Sequence, residues 1–571
     1  MRIALAQINQ TLGDLEGNAK KILAFVAKAK EAGAELVAFP ELAVTGYPPE
    51  DLLLNPRFIS RTQECLEAIV RGCSGIAAVL GFPHSQEDLY NAAAVINNCE
   101  LLGVYHKMHL PNYGVFDENR YFRAGAEPMV LSLGDVGIGV TVCEDIWIPA
   151  GPVTAEAFWG DAHLILNISA SPYHAGKGEA RARMLSTRAA DNVAAVAFCN
   201  LVGGQDELVF DGQSMIFDER GELMARAAQF EEELLIADLD VDRVFRSRLR
   251  DPRRRQEQEG KENEGLKVLR AEPRPPESRP PCPPRLMPGL PRAAEIYQAL
   301  CLGLRDYVQK NGFRKVVVGL SGGIDSALTA AIAVDALGKD AVACVSMPGR
   351  FSSAETQADA KKVAENLGVN FIILPIEPVF ESFLATLSPT FSGLKPDITE
   401  ENLQARIRGA LLMALSNKFG WLVLATGNKS EISVGYCTLY GDMVGGFALL
   451  KDVTKTLVYE LSHYRNSLGP VIPESIISRE PTAELRANQR DTDSLPPYAI
   501  LDPILTAYVE NDMAFDEIVR MGFEGEVVSK VLTLVDKNEY KRRQAAPGVK
   551  ITPRAFGKDR RFPLTNRFKQ G

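Results

Sequence analysis

The chain has 571 residues, 46% of them hydrophobic and 24% charged, and a formal net charge of -10 at pH 7. This composition is typical of a globular protein with room for several domains, and the acidic balance disfavours a general nucleic-acid binder. No apolar run approaches the roughly 20 residues needed to cross a bilayer. The 9 cysteines form no Cys-x-x-Cys pair, and the start of the chain turns polar too early for a signal peptide. We therefore expect a cytoplasmic protein.

Strand-like and helix-like stretches alternate over the first 240 residues. Strands are expected where short apolar runs end at polar or turn residues, and helices where apolar residues recur with helical spacing. The predicted strands are 2–9, 35–39, 75–82, 89–97, 100–106, 135–143, 163–169, 193–200, 213–218 and 234–240, and the predicted helices are 18–32, 55–71 and 178–191. This mixed order indicates an α/β sandwich, which we assign to residues 1–245.

A change in composition separates a second domain from the first. Residues 246–292 are rich in Arg, Glu and Pro, with no periodic apolar face, and we predict a linker or surface crossover. Residues 293–571 return to a βαβ rhythm. The predicted strands there are 315–319, 341–347, 371–376 and 421–426, and the helices between them include 353–367 and 400–418. This order predicts a doubly wound parallel sheet, with a ligand crevice at the carboxyl ends of its strands.

The stretch Lys315–Ser326 contains a β-branched strand, two adjacent glycines and the start of an apolar helix. A strand, a glycine turn and a helix N-terminus together present backbone N–H groups to an anion. Asp325 would repel a phosphate unless a divalent cation bridged the two groups, so the loop predicts a metal-dependent phosphate site. The alternative is an ordinary βα turn, in which Gly and Ser are common. The loop lacks the Gly-Lys-Ser/Thr ending of a P-loop.

The string Ser321-Gly-Gly-Ile-Asp-Ser326 resembles the pyrophosphatase loop of the ATP-pyrophosphatase family. Members of that family hold the ATP triphosphate there, adenylylate a substrate oxygen and release pyrophosphate. The resemblance implies an adenine nucleotide α-hydrolase-like fold. It also implies ATP contacts from Gly319, Leu320, Ser321, Gly322, Gly323, Ile324, Asp325 and Ser326.

Three chemically distinct residues follow predicted strands of the first domain: Glu41, Lys107 and Cys143. Strand ends in one sheet can converge, and a thiol beside a carboxylate and an ammonium makes a set of nucleophile, base and electrostatic stabiliser. Glu41 would take the thiol proton and later activate water. Lys107 would stabilise the oxyanion and keep the thiol nucleophilic. Singly, each has an ordinary alternative, as a core thiol or a surface charge.

Their flanking sequences resemble the nitrilase (carbon–nitrogen hydrolase) superfamily over residues 1–245. The matching strings are Phe39-Pro-Glu-Leu42, Tyr105-His-Lys-Met-His-Leu-Pro111 and Val142-Cys-Glu-Asp-Ile-Trp147. The resemblance implies glutamine binding by Tyr113, Glu144, Ser171 and Lys177, the last of which is often Arg in relatives. It also implies that Glu118 supports the catalytic residues. Cys199 ends a strand without an acidic follow-on, and we interpret it as core.

A glutaminase domain joined to an ATP-pyrophosphatase domain resembles the glutamine-dependent NAD synthetase family. Further matches are the strings 424–431, 441–447, 452–455 and 479–485. The resemblance implies that Thr426, Lys455 and Thr482 contact ATP. It implies deamido-NAD contacts from Asn402, Arg406, Glu431 and Lys541, and a magnesium ion held by Asp325 and Glu431. The loop after Asp442 departs from ammonia-only relatives, which place charged residues there.

The resemblance implies a ligase that adenylylates the deamido-NAD carboxylate with ATP and displaces AMP with ammonia from glutamine. The alternatives are another ATP-pyrophosphatase amidotransferase that acts on a different carboxylate or carbonyl, and a metabolite-binding module with a dead active site. We expect small-molecule substrates (deamido-NAD, ATP and glutamine), magnesium, a homo-oligomer, and neither nucleic-acid nor membrane partners.

Overall fold

The structure, a computed structural model, describes residues 1–252, 265–273, 280–487 and 489–568. The chain divides into two compact units: residues 1–205 with 209–290, and residues 206–208 with 291–571. Within the described ranges, no helix is long and apolar enough to cross a membrane. Each unit is described separately below.

Strands and helices alternate through the first unit. Its strands are β1 (Arg2–Gln7), β2 (Leu36–Ala38), β3 (Ala77–Ser85), β4 (Leu89–Asn97), β5 (Glu100–His106), β6 (Met129–Leu133), β7 (Val136–Val142), β8 (Leu164–Ser169), β9 (Ala195–Asn200), β10 (Val202–Gln205), β11 (Leu208–Asp211), β12 (Met215–Phe217), β13 (Leu223–Arg226), β14 (Glu233–Asp238) and β15 (Lys267–Ala271). Its helices are α1 (Leu15–Glu31), α2 (Pro56–Gly72), α3 (Pro152–Phe158), α4 (Lys177–Asn192) and α5 (Val241–Arg250).

Two sheets of this unit pack face to face. Their strand orders are β14-β1-β2-β3-β4-β5 and β13-β12-β9-β8-β7-β6-β15. Alternate residues of β1 show the layering: Ile3 and Leu5 join the core between the sheets, whereas Ala4 and Ala6 face the core beneath α1 and α2. A third core lies between the second sheet and α3 and α4. The period-2 alternation of each strand therefore builds the predicted α/β sandwich.

Residues 246–292, predicted as a linker or surface crossover, contain some regular structure. Helix α5 extends to Arg250, and β15 pairs in parallel with β6, with Lys267 opposite Met129. The strand has only a few apolar residues and lies inside a polar segment, so the composition of the segment did not predict it. The basic run Arg253-Arg254-Arg255 lies outside the described residues.

The second unit contains a parallel sheet of order β18-β17-β16-β19-β20, as predicted. The strands are β16 (Val316–Gly319), β17 (Val342–Ser346), β18 (Asn370–Ile373), β19 (Leu422–Ala425) and β20 (Phe447–Ala448). The helices are α6 (Arg292–Lys310), α7 (Ile324–Leu337), α8 (Ala354–Leu367), α9 (Glu377–Leu387), α10 (Ile398–Phe419), α11 (Lys429–Val434), α12 (Lys455–Ser467), α13 (Glu474–Ser478), α14 (Tyr498–Leu505), α15 (Phe515–Arg520), α16 (Gly525–Lys537) and α17 (Glu539–Arg542). The predicted α/β class is confirmed for both units.

Two candidate active sites

The first site is organised around the buried ammonium of Lys107, which follows the end of β5. Its Nζ lies 2.7 Å from Oε1 of Glu41, and 2.9 and 2.8 Å from the two carboxylate oxygens of Glu118. The side chains of Lys107 and Glu41 are fully buried, and that of Glu118 nearly so. Two carboxylates therefore share one ammonium in a site without bulk solvent.

Neutral donors complete the hydrogen bonding of the two carboxylates. The Asn91 amide donates to Glu41 at 2.8 Å, and the Tyr47 hydroxyl donates to Glu118 at 3.0 Å. The backbone N–H of Ala170 donates to the second oxygen of Glu41 at 2.9 Å. Because every partner is itself in the packed interior, the orientation of the acid pair is set before any substrate enters.

Cys143 begins the turn that follows β7, and its backbone has φ +47°. This left-handed conformation is costly for a non-glycine residue and is concentrated at functional sites. Burial, and next the charge of Glu41, raise the pKa of the Cys143 thiol well above its ordinary value, although Lys107 opposes them. Cys143 is therefore protonated at rest, although Lys107 alone would favour the thiolate. A base must take its proton when the sulfur attacks.

The pKa values of Glu118 and Lys107 both depart from their ordinary values. Burial raises the pKa of Glu118 to about 7; Lys107 lowers it, and the charge of Glu41 adds to the rise. Burial acts to lower the pKa of Lys107, but the carboxylates of Glu118 and Glu41 outweigh it, so the pKa lies well above its ordinary value. Lys107 thus stays charged at any physiological pH, and Glu118 titrates near neutrality.

The residues expected to hold glutamine differ in exposure. Tyr113 is 59% exposed, and its hydroxyl donates to Glu144 at 2.9 Å. Ser171 is buried, with its backbone N–H donating to Asn200, and Lys177 donates to the carbonyl of Pro172 at 2.7 Å. Glu144 directly follows the nucleophile Cys143 in sequence, and its exposed partner Tyr113 can meet a polar substrate from solvent.

The second site is the loop between β16 and α7. Gly322 has φ +87°, and a Cβ there would lie 2.1 Å from the carbonyl oxygen of Thr356, so only glycine fits. The Ser321 hydroxyl accepts from the N–H of Gly323 at 3.2 Å, and Ser326 donates to the Gly323 carbonyl at 2.9 Å. These contacts fix a tight turn at the carboxyl end of the sheet, where a phosphate site is expected.

The charged centre of this site is again a lysine between two acids. Lys455 Nζ lies 2.5 Å from Asp325 and 3.1 Å from Glu431. Asn428 donates its amide to Asp325 at 2.9 Å and accepts the N–H of Glu431 at 3.0 Å, which connects the two acids. Burial raises the pKa of Glu431 to about 7; Lys455 lowers it, and Asp325 adds to the rise.

A cavity of about 300 Å³ opens over this centre. All the residues expected to contact ATP line it, together with Glu431. They are Gly319, Leu320, Ser321, Gly322, Gly323, Ile324, Asp325, Ser326, Thr426, Lys455 and Thr482.

The other expected dinucleotide contacts lie elsewhere. Asn402 accepts from Thr438 at 2.8 Å, Arg406 donates to the carbonyl of Leu439, and Lys541 donates to the carbonyls of Gly435 and Cys437. All three therefore hold the segment 435–439 in place. Of the residues that they contact in this segment, only Thr438 lines the cavity.

Asp325 and Glu431 are the residues suited to the expected magnesium ion. Within the described ranges, no group of three or more His, Cys, Asp or Glu side chains forms a closed metal site. Magnesium in phosphate chemistry is commonly held by one or two carboxylates together with substrate phosphates, so an open pair of acids on the cavity wall fits this ion.

Comparisons with known proteins identify a family for each part of the chain. A carbon-nitrogen hydrolase family model matches residues 2–248, and an NAD synthase model matches residues 296–545. Glutamine-dependent NAD(+) synthetases of Thermotoga maritima and Aquifex aeolicus are 52% and 48% identical, with 100% of this chain aligned to 99% and 100% of theirs. The chain belongs to the glutamine-dependent NAD(+) synthetase family. The solved structure of a glutamine-dependent NAD+ synthetase from Acinetobacter baumannii, in complex with adenosine diphosphate, has 44% identity and a TM-score of 0.74, with 100% of this chain aligned to 99% of that one.

Several residues around the two sites of this NAD(+) synthetase family member were not predicted from the sequence. Asn91 is one of two asparagines in the otherwise largely apolar β4, and Tyr47 belongs to no recognised motif. Asn428 lies inside the string 424–431 that carries the family resemblance, so its position was visible but its partners were not. Asp491 lines the cavity and accepts from Tyr498 at 2.8 Å. Cys199 is core, as interpreted.

Proposed function

We propose that this chain makes NAD from deamido-NAD, ATP and glutamine, with AMP, pyrophosphate and glutamate as co-products. The observation that carries the proposal is the presence, in one chain, of a buried acid–ammonium–thiol site and a nucleotide-sized cavity over a pyrophosphatase-type loop. Full-length identity to NAD(+) synthetases supports the product, and these relatives give no support to a different amidotransferase.

In the first unit, the Cys143 sulfur attacks the carboxamide carbon of glutamine while Glu41 takes the thiol proton. Lys107 stabilises the negative charge that develops on the carboxamide oxygen. The carbon–nitrogen bond then breaks, Glu41 returns the proton to the departing ammonia, and a thioester remains. Glu41 next activates water, which releases glutamate and regenerates the thiol. The high pKa of the buried thiol is the reason that this path needs Glu41 as the base.

We assign substrate recognition in this unit to the residues around the thiol. Glu144 and Tyr113 form the solvent-facing side, where a carboxylate can pair with the α-ammonium of glutamine. Ser171 and Lys177 would contact the remaining polar groups of the amino acid. The buried and exposed members together would select a zwitterionic amide over a simple aliphatic one.

In the second unit, a carboxylate oxygen of deamido-NAD attacks the α-phosphorus of ATP, and pyrophosphate leaves. Ammonia then attacks the acyl adenylate, and AMP leaves. The loop 319–326, Thr426, Lys455 and Thr482 would hold ATP. The ADP complex of the Acinetobacter relative supports the binding of an adenine nucleotide by this chain. Asp325 and Glu431 would hold magnesium, which supplies neutralisation of phosphate charge. Asn402, Arg406, Glu431 and Lys541 would hold deamido-NAD, three of them through the 435–439 segment.

The proposal also includes a cellular location and an oligomeric state. A cytoplasmic location is supported by the 9 cysteines, all of which lie in described ranges and are free. A homo-oligomer stays a prediction, and sedimentation of the purified chain would test it.

The test is a pyrophosphate-release assay with alternative acceptors. Deamido-NAD is compared with aspartate and xanthosine monophosphate, which other ATP-pyrophosphatase amidotransferases use, at saturating ATP and glutamine. We expect stoichiometric pyrophosphate, AMP and NAD with deamido-NAD only. Faster pyrophosphate release with another acceptor would reassign the substrate, and the absence of any glutamine-dependent AMP would revive a binding module.

A further inference from the structure

The carboxylate of Asp145 is fully buried beside the segment that carries Lys107. Its Oδ1 accepts the backbone N–H groups of Met108, at 3.1 Å, and His109, at 2.9 Å. These are the first and second residues after Lys107. One carboxylate oxygen therefore fixes the direction in which the chain leaves the catalytic ammonium.

The other oxygen of Asp145 contacts the segment that carries the nucleophile. Oδ2 accepts the N–H of Val142 at 3.1 Å, across the left-handed residue Cys143, and the hydroxyl of Tyr105 at 2.8 Å. The bond to Val142 closes the turn over Cys143 in the manner of a helix cap. Tyr105 is two residues before Lys107, so this oxygen also joins both segments.

We propose that Asp145 is a positioning residue for glutamine hydrolysis, because its carboxylate clamps the backbone on both sides of the gap between Lys107 and Cys143. It touches neither the substrate nor the reacting atoms. Its two oxygens fix the backbone around Lys107 relative to the turn that carries Cys143. The ammonium can then face the carboxamide oxygen of the amide that the thiol attacks. This inference rests on the proposed roles of Lys107 and Cys143.

Only a carboxylate suits the four donors. An ionised Asp is purely an acceptor at both oxygens, whereas an Asn side chain presents an amide N–H₂ at one of them. In Asp145→Asn that amide would face either the two backbone N–H groups now at Oδ1, or the N–H of Val142 and the Tyr105 hydroxyl now at Oδ2. The hydroxyl can turn to accept, but in either orientation at least one backbone N–H loses its acceptor. Backbone donors left unpaired in the interior shift the segments they belong to. A displacement of about 1 Å between reacting groups is enough to lower a rate about a hundredfold.

The experiment uses the full chain with Asp145→Asn and three readouts. These are kcat and KM for glutamine hydrolysis, the alkylation rate of Cys143 by iodoacetamide, and ammonium-driven NAD synthesis. Alkylation of Cys143→Ala provides the blank for the other thiols. Glu156→Gln is the matched control, because Glu156 is a fully buried acid of the same unit that accepts only a long bond from the N–H of Met129.

We expect Asp145→Asn to lower kcat about a hundredfold while KM stays within about threefold, since the proposed binding residues Ser171 and Lys177 lie outside the two segments that Asp145 holds. Alkylation of Cys143 should slow, and ammonium-driven synthesis should match that of Glu156→Gln. A kcat within tenfold of the unmodified enzyme, or a change confined to KM, would overturn the proposal. If the unmodified enzyme made no NAD from ammonium, the proposed function itself would be rejected instead.

Tyr105→Phe keeps the test decisive if Asp145→Asn does not fold. It removes one of the four donors from Asp145 and leaves the ring in place. Loss of one such hydrogen bond should lower kcat roughly threefold to tenfold with an unchanged KM. An unchanged kcat in Tyr105→Phe would show that the clamp does not set the catalytic geometry.

Discussion

Both sites are built around a lysine between two carboxylates, yet they differ in what surrounds it. In the first unit, Lys107 and its partners are sealed, with side-chain exposures of 0–6%. In the second unit, Asp325 and Glu431 are 17% and 18% exposed on a cavity wall. A sealed ion pair is fixed in geometry and suits a small amide whose charge develops only during attack. An open one can exchange partners when phosphates and a cation arrive.

Of the variants that distinguish the two sites, Asp325→Asn is expected to lose the most activity. Loss of this carboxylate leaves Lys455 paired with Glu431 alone and removes a proposed cation ligand, so pyrophosphate release should fall about a thousandfold, the upper end of what one electrostatic group costs. The loss should appear with glutamine and with ammonium alike. Asp335→Asn, on the same helix and paired with Arg465, is the control. Near-normal turnover of Asp325→Asn at saturating magnesium would reject the assigned role.

Lys107→Gln should give the next effect, confined to glutamine use. The negative charge on the carboxamide oxygen develops only in the transition state, so acylation should slow by about 2.7–4 kcal/mol, roughly a hundred- to thousandfold. Single-turnover glutaminase kinetics measures the step, and ammonium-driven synthesis serves as the control. An unchanged acylation rate with only a raised KM would place Lys107 in binding rather than in stabilisation.

Glu431→Gln tests whether the open site exchanges its ion pair for a cation. With one proposed magnesium ligand reduced to an amide, the magnesium concentration for half-maximal activity should rise about tenfold. The titration is run with ammonium as the nitrogen source, so that the first unit does not contribute. A magnesium dependence identical to that of the unmodified enzyme would remove Glu431 from the ligand set.

The smallest effect concerns Glu118, whose pKa burial raises to about 7. Above that pH its carboxylate shares Lys107 with Glu41. Below it, Lys107 pairs with Glu41 alone, so the Glu41 carboxylate is held more tightly by the ammonium and is less available to take the thiol proton. Glutaminase kcat/KM should therefore fall by up to about tenfold as the pH drops through 7, a change in rate that corresponds to about 1.4 kcal/mol. Glu118→Gln should lack this step, and a step retained at the same pH would assign it to another group.

Sequence reasoning reached the fold and the charged residues of both sites because strings such as Val142–Trp147 and Ser321–Ser326 are contiguous. It failed where a contact depends on tertiary structure. Asn91 meets Glu41 across 50 positions and Asp145 meets His109 across 36, and neither spacing leaves a local pattern. β15 was missed because a single short strand in a Pro- and Arg-rich segment has no periodicity to detect.

The central claim is that one unit makes ammonia and the other uses it, and the Cys143→Ala variant tests it most directly. Its NAD synthesis is measured with glutamine and with ammonium chloride under the same conditions. The account predicts no detectable NAD from glutamine and a rate from ammonium equal to that of the unmodified enzyme, because the thiol is needed only to break the carboxamide bond. A folded Cys143→Ala protein that lost both activities, or that kept glutamine-dependent synthesis, would contradict it.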